Sequence, residues 1–294
     1  MKTIAEIGED GLIAKICDSL KSSESVVVGP GDDCAVVGEG DVLTLLKTDA
    51  VVEGVHFLAE EKAKRVGWKS VARVLSDFAA MGGQPSELLV TIALPKTTTV
   101  DRVTEFYEGM SACLNQHGGV IVGGETTSLP EGAPIMISIA GRGVVTRDHV
   151  VTRSGGKALD DIYVTGKLGG SIAGKHLDFT PRLREAAWLT QNFPLTAMMD
   201  LSDGLAKDLP RLAQMSQCGF HLEQNTIPLN DCLELAQGLN DGEDYELLFT
   251  VSGECALQDA WNQQFPNLPL TRIGSLVENQ RDTLTGGWDH FEKR

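Results

Sequence analysis

Carboxylates recur at the points where apolar segments of this chain end, and no other feature limits its folding as much. GPGDDCAVV carries Asp32 and Asp33, LLKTDAVV carries Asp49, VLSDFAAMG carries Asp77 and VGGETT carries Glu125. Further on, MDLSDG carries Asp200 and Asp203, and DGEDYE carries Asp241, Glu243, Asp244 and Glu246. Singly, each reads as a cap or turn residue, because Asp hydrogen-bonds nearby backbone and suits Gly-flanked turns. Asp203, just ahead of GLAKDL, passes as a plain N-cap. Together they demand more. Several sit among small or apolar residues, and a buried carboxylate without counter-charge protonates or destabilises the fold. If these segments converge, cations must meet them. Oxygen ligands without His or Cys clusters favour Mg²⁺ or Mn²⁺ over zinc. Asp32 and Asp33 point to opposite faces of an extended segment, so one can bind metal while the other holds the turn.

The intervening segments fall into two series. VLTLLKTDAVV (42–52), LLVTIALP (88–95), GVIVGG and IMISIAGRGVV (135–145) read as strands; residues 11–20, 63–82 and 99–117 have helical spacing. After about residue 147 the pattern restarts. DIYVTG is a strand, GGSIAGKHL opens a helix, AMM is a short strand, DGLAKDLPRLAQM is a helix and YELLFTV is a strand. A chain of 294 residues suits two domains, each with its own core. The expected fold class is α/β (α+β mixed), with domains at 1–147 and 148–294 joined near TRDHVVTRSGG.

Charge narrows the partners. Lys and Arg total 25 against 41 Asp and Glu, a formal charge of −16. Nucleic acid and anionic membranes are therefore not expected partners, since both draw on clustered basic residues. Small polyanions remain possible where divalent cations stand between. The six cysteines show no C-x-x-C and no zinc-like spacing, so reduced, mostly buried thiols and a cytoplasmic setting are expected. No run approaches the ~20 apolar residues of a membrane span, and MKTIAEIGEDG lacks a signal-peptide core.

Other motifs divide between function and plain structure. In VIVGGETT, two glycines after a strand let backbone N–H groups approach a phosphate, or simply make a tight turn. Gly169, Gly174 and Lys175 fit G-x-x-x-x-G-K, but His176 stands where a P-loop needs a hydroxyl for Mg²⁺, so a helix entry is the better reading. SDFAAMG lacks the glycine of D-F-G. Arg153 offers a fork of donors to a phosphate chain or a surface ion pair. His56 is by default a structural histidine, and Trp288 either packs in the tail or stacks on a flat heterocycle.

Taken in order, GPGDDCAVV, KTDAVVEGVHF, LSDFAAMG, VGGETT, TRSGG with DIYVTGKLG, MDLSDGLAKDL, GEDYELLFT and GWDHF resemble the thiamine-monophosphate kinase family from residue 7 to 291. VEGVHF with GEDYELLFT separates this family from its relatives aminoimidazole ribonucleotide synthetase, selenophosphate synthetase and the hydrogenase-maturation dehydratase. The resemblance implies an N-terminal domain whose strands form a β-barrel across a homodimer, and a C-terminal α/β domain closing the active site. It implies transfer of the γ-phosphate of ATP to thiamine monophosphate with several Mg²⁺ ions. Carried onto matching positions, Asp33, Thr48, Asp49, Asp77, Glu125, Asp200 and Asp203 are the implied metal ligands. Tyr107, Gly124, Glu125, Arg153 and Ser202 are the implied ATP contacts. His56, Glu243 and Trp288 are the implied substrate contacts. No residue is implied as general base.

The chain departs from the family pattern at Glu125, where Asp is usual, and at Lys47, where a small hydroxyl residue is usual. Asn240-Asp241-Gly242 stands near the usual second glycine pair, and the segment from GGSIAG to MDLSDG is short. Lys47 replaces a cation or points to solvent. These departures leave two other readings: a weakened homologue that binds metal and nucleotide, or a kinase for another phosphate ester.

Overall fold

The computed structural model describes residues 3–253 and 256–291. Strands β1 (Val26–Val28), β2 (Ala35–Val37), β3 (Val42–Val52), β4 (Gln84–Pro95), β5 (Val120–Leu129) and β6 (Met136–Thr146) form one sheet, in the order β1-β2-β3-β6-β4-β5. Only β4 and β5 run parallel, and α3 (Val100–His117) makes their crossover. β6 shows the pattern of a half-covered sheet: Ile137, Ile139 and Val145 face inward and are buried, while Ala140 and Arg142 face outward and are exposed. Gly141 and Gly143 share the inward row. A Cβ at Gly141 would sit 2.9 Å from the Phe78 ring, so glycine lets that ring lie on the sheet.

The covering helix is α2 (Ala63–Ala80), buried along nearly its whole length. It packs on the first sheet, on α3 and, from its other side, on elements of a second sheet. Its approach to α3 requires glycine on both helices: a Cβ at Gly67 would lie 1.9 Å from the Phe106 carbonyl oxygen, and one at Gly109 would lie 1.9 Å from that of Lys64.

The second sheet is antiparallel, in the order β8-β10-β7-β11-β9, from β7 (Asp161–Thr165), β8 (Leu195–Asp200), β9 (Gly219–Leu222), β10 (Leu247–Val251) and β11 (Leu270–Val277). Both its faces are covered, which explains why β7, β8 and β10 read as continuous apolar runs. Tyr163, Met198 and Phe249 join the larger core, which also contains α2, α4 (Leu183–Asn192) and the inner face of the first sheet. Ile162, Met199 and Leu248 join a second core with α5 (Leu205–Met215). The larger core thus runs through residues on both sides of position 147.

Two expectations need correction. The first helix, α1 (Ile4–Cys17), starts earlier than residue 11, with Thr3 and Glu6 forming a capping box and a break at Gly8 (φ 68°). GGSIAGKHL makes two 3₁₀ turns, Ser171–Ala173 and Lys175–Leu177, rather than a helix. Gly169 and Gly170 have φ of 83° and 72°, and their N–H groups are bound by carboxylates: Asp244 accepts from Gly169 and Asp241 from Gly170. The donors that a phosphate loop would present are already taken. The remaining helices are α6 (Leu235–Asn240) and α7 (Leu257–Gln264).

Among the described cysteines, Cys34 and Cys113 are buried, Cys17 and Cys218 are half-buried and Cys232 is exposed, so fewer are buried than expected; none is in a disulfide. Cys255 lies outside the described residues. Among the described residues, no helix is long and apolar enough to cross a membrane.

Candidate active site

Three chain segments deliver a carboxylate to one point. Asp33 comes from the turn between β1 and β2, Asp77 from the last turns of α2 and Asp200 from the end of β8. All three are buried, and one oxygen from each lies within 4.8 Å of the others. The GPGDD turn separates the two neighbours. Asp32 accepts the backbone N–H of Asp33 at 3.0 Å and that of Arg153 at 3.1 Å, while Asp33 turns inward to the triad. Ser76 donates to Asp200 at 2.5 Å.

Like charges this close make ionisation costly. Burial, then the Asp33 charge, push the Asp200 carboxyl up to about 7, against a partial offset from the Ser76 hydroxyl. Burial likewise holds Asp77 well above the usual carboxylate range despite Lys47. Burial, then Asp33, raise Asp32 to about 6. The protein supplies two cations at the triad itself: Arg153 Nη2 lies 2.5 Å from Asp33 Oδ1, and Lys47 Nζ lies 2.7 Å from Asp77 Oδ1. Lys47 therefore points at the carboxylates and not at solvent. Asp33 Oδ2 is buried with no hydrogen-bond partner. An all-oxygen donor set with an orphaned buried carboxylate oxygen fits a hard divalent cation such as Mg²⁺.

Two cavities lie nearby and share Asp203 in their walls. The larger, about 450 Å³, is lined by Asp32, Lys47, Arg153, Asp203 and Arg211, among others. The smaller, about 70 Å³, is lined by His56, Arg73, Ser202, Asp203, Glu243 and Trp288, among others. The Asp203 side chain does not cap α5, whose N-cap is Gly204; it pairs with Arg211 at 2.6 Å and Lys207 at 3.2 Å. Asp49 lies beside the triad on β3 and pairs with Arg73, Nε to Oδ2 at 2.9 Å.

The wall of the smaller cavity rests on DGEDYE, where each successive acidic side chain is spent on a different partner. Glu243 and Tyr245 have φ of 53° and 51°, a strained region for such residues that the surrounding contacts enforce. Glu243 Oε2 accepts from Lys69 Nζ at 2.7 Å, the fully buried Lys69 also donates to the His56 carbonyl at 2.7 Å, and His176 Nδ1 lies 2.7 Å from Lys69 Nζ and 2.9 Å from Glu243 Oε2. Burial would raise Glu243, but the His176 contact and the Lys69 charge outweigh it and hold the carboxyl at about 2. Tyr245 stacks on Phe179 with ring centroids 3.9 Å apart. Glu246 receives Arg182 through two nitrogens, at 2.7 and 2.6 Å.

His56 opens onto this cavity with a defined tautomer. Its Nδ1 accepts the Val52 N–H at 3.1 Å, which leaves the proton on Nε2. Burial, then Arg73, lower its pKa to about 4, so the ring stays neutral at pH 7. The chain end folds back to place Trp288: its N–H donates to the Asp203 carbonyl at 2.8 Å, and its own carbonyl accepts from Lys207.

Four sequence-derived residues lie elsewhere within the single chain. Thr48, on β3, faces the outer side of the first sheet, 3.5 Å from the Ser138 hydroxyl. Glu125 pairs in register with Thr91, Ser138 and Ala50 in one row across the sheet. That row puts it about 14 Å from β3, three strand spacings away at the open edge. Gly124 is its neighbour on β5, and Tyr107 is half-buried on α3. Sequence reasoning passed over Lys69, Arg73 and His176. The first two recur at i, i+4 with Asp77 at i+8, a charged stripe on a helix that from Val66 onward is otherwise uncharged, which was the available signal.

The family described as AIR synthase related protein, N-terminal domain, matches residues 31–145. The chain is 33% identical to a thiamine-monophosphate kinase of Rhodopirellula baltica, covering 92% of this chain and 89% of that protein. It is 34% identical to the thiamine-monophosphate kinase of Escherichia coli, covering 97% and 98%. The solved structure of AaThiL complexed with AMPPCP and TMP superposes with a TM-score of 0.86 at 30% identity, covering 99% of both chains. This chain belongs to the thiamine-monophosphate kinase family.

Proposed function

We propose that this chain transfers the γ-phosphate of ATP to thiamine monophosphate, giving thiamine diphosphate, by direct in-line displacement. The observation that carries this reading is that two cavities meet at Asp203, the larger lined by Lys47 and Arg153, which pair with Asp77 and Asp33, and by Arg211, the smaller by His56, Glu243 and Trp288. The acceptor is a phosphate oxygen whose second pKa near ~6 leaves it largely ionised at pH 7, so no side chain need remove a proton. The obstacle is the approach of two anions. Arg153 and Ser202 orient the nucleotide phosphates, Trp288 stacks on the thiamine end, and His56 Nε2–H and Glu243 fix its polar groups. Asp33, Asp77 and Asp200, with Asp49 and Asp203 at their margin, would hold Mg²⁺, which would supply neutralising charge to the phosphate oxygens.

The same reading gives the outer face of the first sheet a role. Leu46, Leu89, Val120 and Val122 are each about half exposed there. A second copy of the chain, closing a β-barrel over this face, covers them. In that homodimer Thr48 serves as a metal ligand, Glu125 as a shared metal and nucleotide ligand, and Tyr107 and Gly124 as nucleotide contacts. The two sheets then act as two domains, divided near residue 147, that close on the bound substrates.

A steady-state assay with ATP, Mg²⁺ and thiamine monophosphate, run in parallel with thiamine, tests the function. Thiamine diphosphate from the first acceptor and no product from the second is the expected result. Nucleotide binding without product contradicts it.

A further inference from the structure

We propose that Lys47 and Arg73 are built-in cations standing where this carboxylate cluster would otherwise draw a further divalent ion, so that the free enzyme loads one ion at the centre. The inference rests on the phosphoryl-transfer reading only in requiring a divalent ion at Asp33, Asp77 and Asp200; it does not depend on the acceptor.

The charge balance points this way. Asp32, Asp33, Asp49, Asp77 and Asp200 bring five negative charges when ionised, and Lys47, Arg73 and Arg153 bring three positive ones. The two charges left over match one dication. Without Lys47 and Arg73 four are left over, which match two.

Geometry points the same way. Lys47 Nζ takes Asp77 Oδ1 at 2.7 Å, so that oxygen is already shared. Arg73, one turn before Asp77 on α2, donates from Nη2 to Asp49 Oδ1 at 3.2 Å and from Nη1 to the Ala50 carbonyl at 3.0 Å, and its Nε lies 2.9 Å from Asp49 Oδ2 without hydrogen-bond alignment. Asp49 enters a metal shell only by giving up this charge-assisted bond and the close guanidinium charge. Asp33 Oδ2 is left without a hydrogen bond, and one oxygen of Asp33 lies within 4.8 Å of oxygens of Asp77 and Asp200. That is a partial shell for one ion, which water and phosphate oxygens complete. The two tethered charges also divide the work: Lys47 lies in the wall of the larger cavity and Arg73 in the wall of the smaller, one toward each phosphate compound. A tethered charge never dissociates.

Mn²⁺ titration of nucleotide-free protein, with free Mn²⁺ read by electron paramagnetic resonance, tests this. Ions at the centre are counted as those lost in an Asp33→Asn, Asp200→Asn variant. Wild type and Lys47→Arg should hold about one ion per chain, and Lys47→Ser, Arg73→Gln about two, the number set by the carboxylate charge left unpaired. Equal counts in wild type and the double variant overturn the inference. No ion at the centre of wild type removes the metal reading itself, and the inference with it. If the double variant is unfolded without metal, melting temperature against Mn²⁺ decides: a larger rise in the variant than in wild type supports the inference, and equal rises overturn it.

Discussion

Asp200 and Glu243 are both largely buried carboxylates beside the second sheet, and their surroundings push them in opposite directions. Asp200 meets Asp33 and Asp77, with too few cations to balance them, and is raised to about 7. Glu243 meets Lys69 and His176 and is lowered to about 2. The first cluster is short of positive charge and gains from a dication. The second is already paired and serves as a fixed wall. Between these two carboxylates, the sign of the displacement follows the positive charge at hand: cations outweigh burial at Glu243 and do not at Asp200.

The largest test of that contrast is Asp200→Asn. It should lower kcat by at least ~1,000-fold, about 4 kcal/mol of transition-state stabilisation. The melting temperature in chelator should not fall, because the amide removes a repulsion. Glu243→Gln should do the reverse to stability, leaving buried Lys69 without its charge partner at a cost of ~3–5 kcal/mol in urea unfolding. If both variants lose stability alike, the contrast fails.

The pH dependence sharpens it. In metal-free protein, folded Asp200 keeps its proton up to about 7, whereas the ordinary value is 3.8. Between these values the native state holds the extra proton, so stability falls as pH rises through that window and levels off above it. Glu243 acts the other way: its folded value of about 2 lies below the ordinary 4.5, so its contribution is complete above 4.5 and is lost as pH falls toward 2. Melting curves in chelator from pH 4 to 8 should show the decline, and saturating Mg²⁺ should remove it. Trp288→Ala should raise KM for thiamine monophosphate about 5-fold, the value of a stacking contact near ~1 kcal/mol. Tyr245→Phe, which removes a 3.3 Å bond to Glu243 and leaves the Phe179 stack, should cost least, ~0.5–1 kcal/mol in urea unfolding.

The strands at 42–52 and 135–145 and the helices at 63–82 and 99–117 were legible because hydrophobic period and β-branching agreed there with tertiary burial. The acidic residues were legible because carboxylates amid apolar residues need an explanation. GGSIAGKHL misled because its small residues suit a helix entry, whereas the left-handed Gly169 and Gly170 are held by Asp244 and Asp241 from about 70 residues further on. Lys69 and Arg73 escaped notice because a cation on an amphipathic helix usually faces water. Only the packing of α2 between two sheets turns them inward. Thr48 and Glu125 illustrate a further limit: strand alternation fixes which face they take, and a single chain does not say what covers that face.

Anomalous diffraction from crystals grown with Mn²⁺ and a non-hydrolysable ATP analogue tests the central claim most directly. A peak in the first coordination sphere of Asp33, Asp77 and Asp200 is the predicted result. Nucleotide bound with its only Mn²⁺ peaks away from those three carboxylates would contradict it.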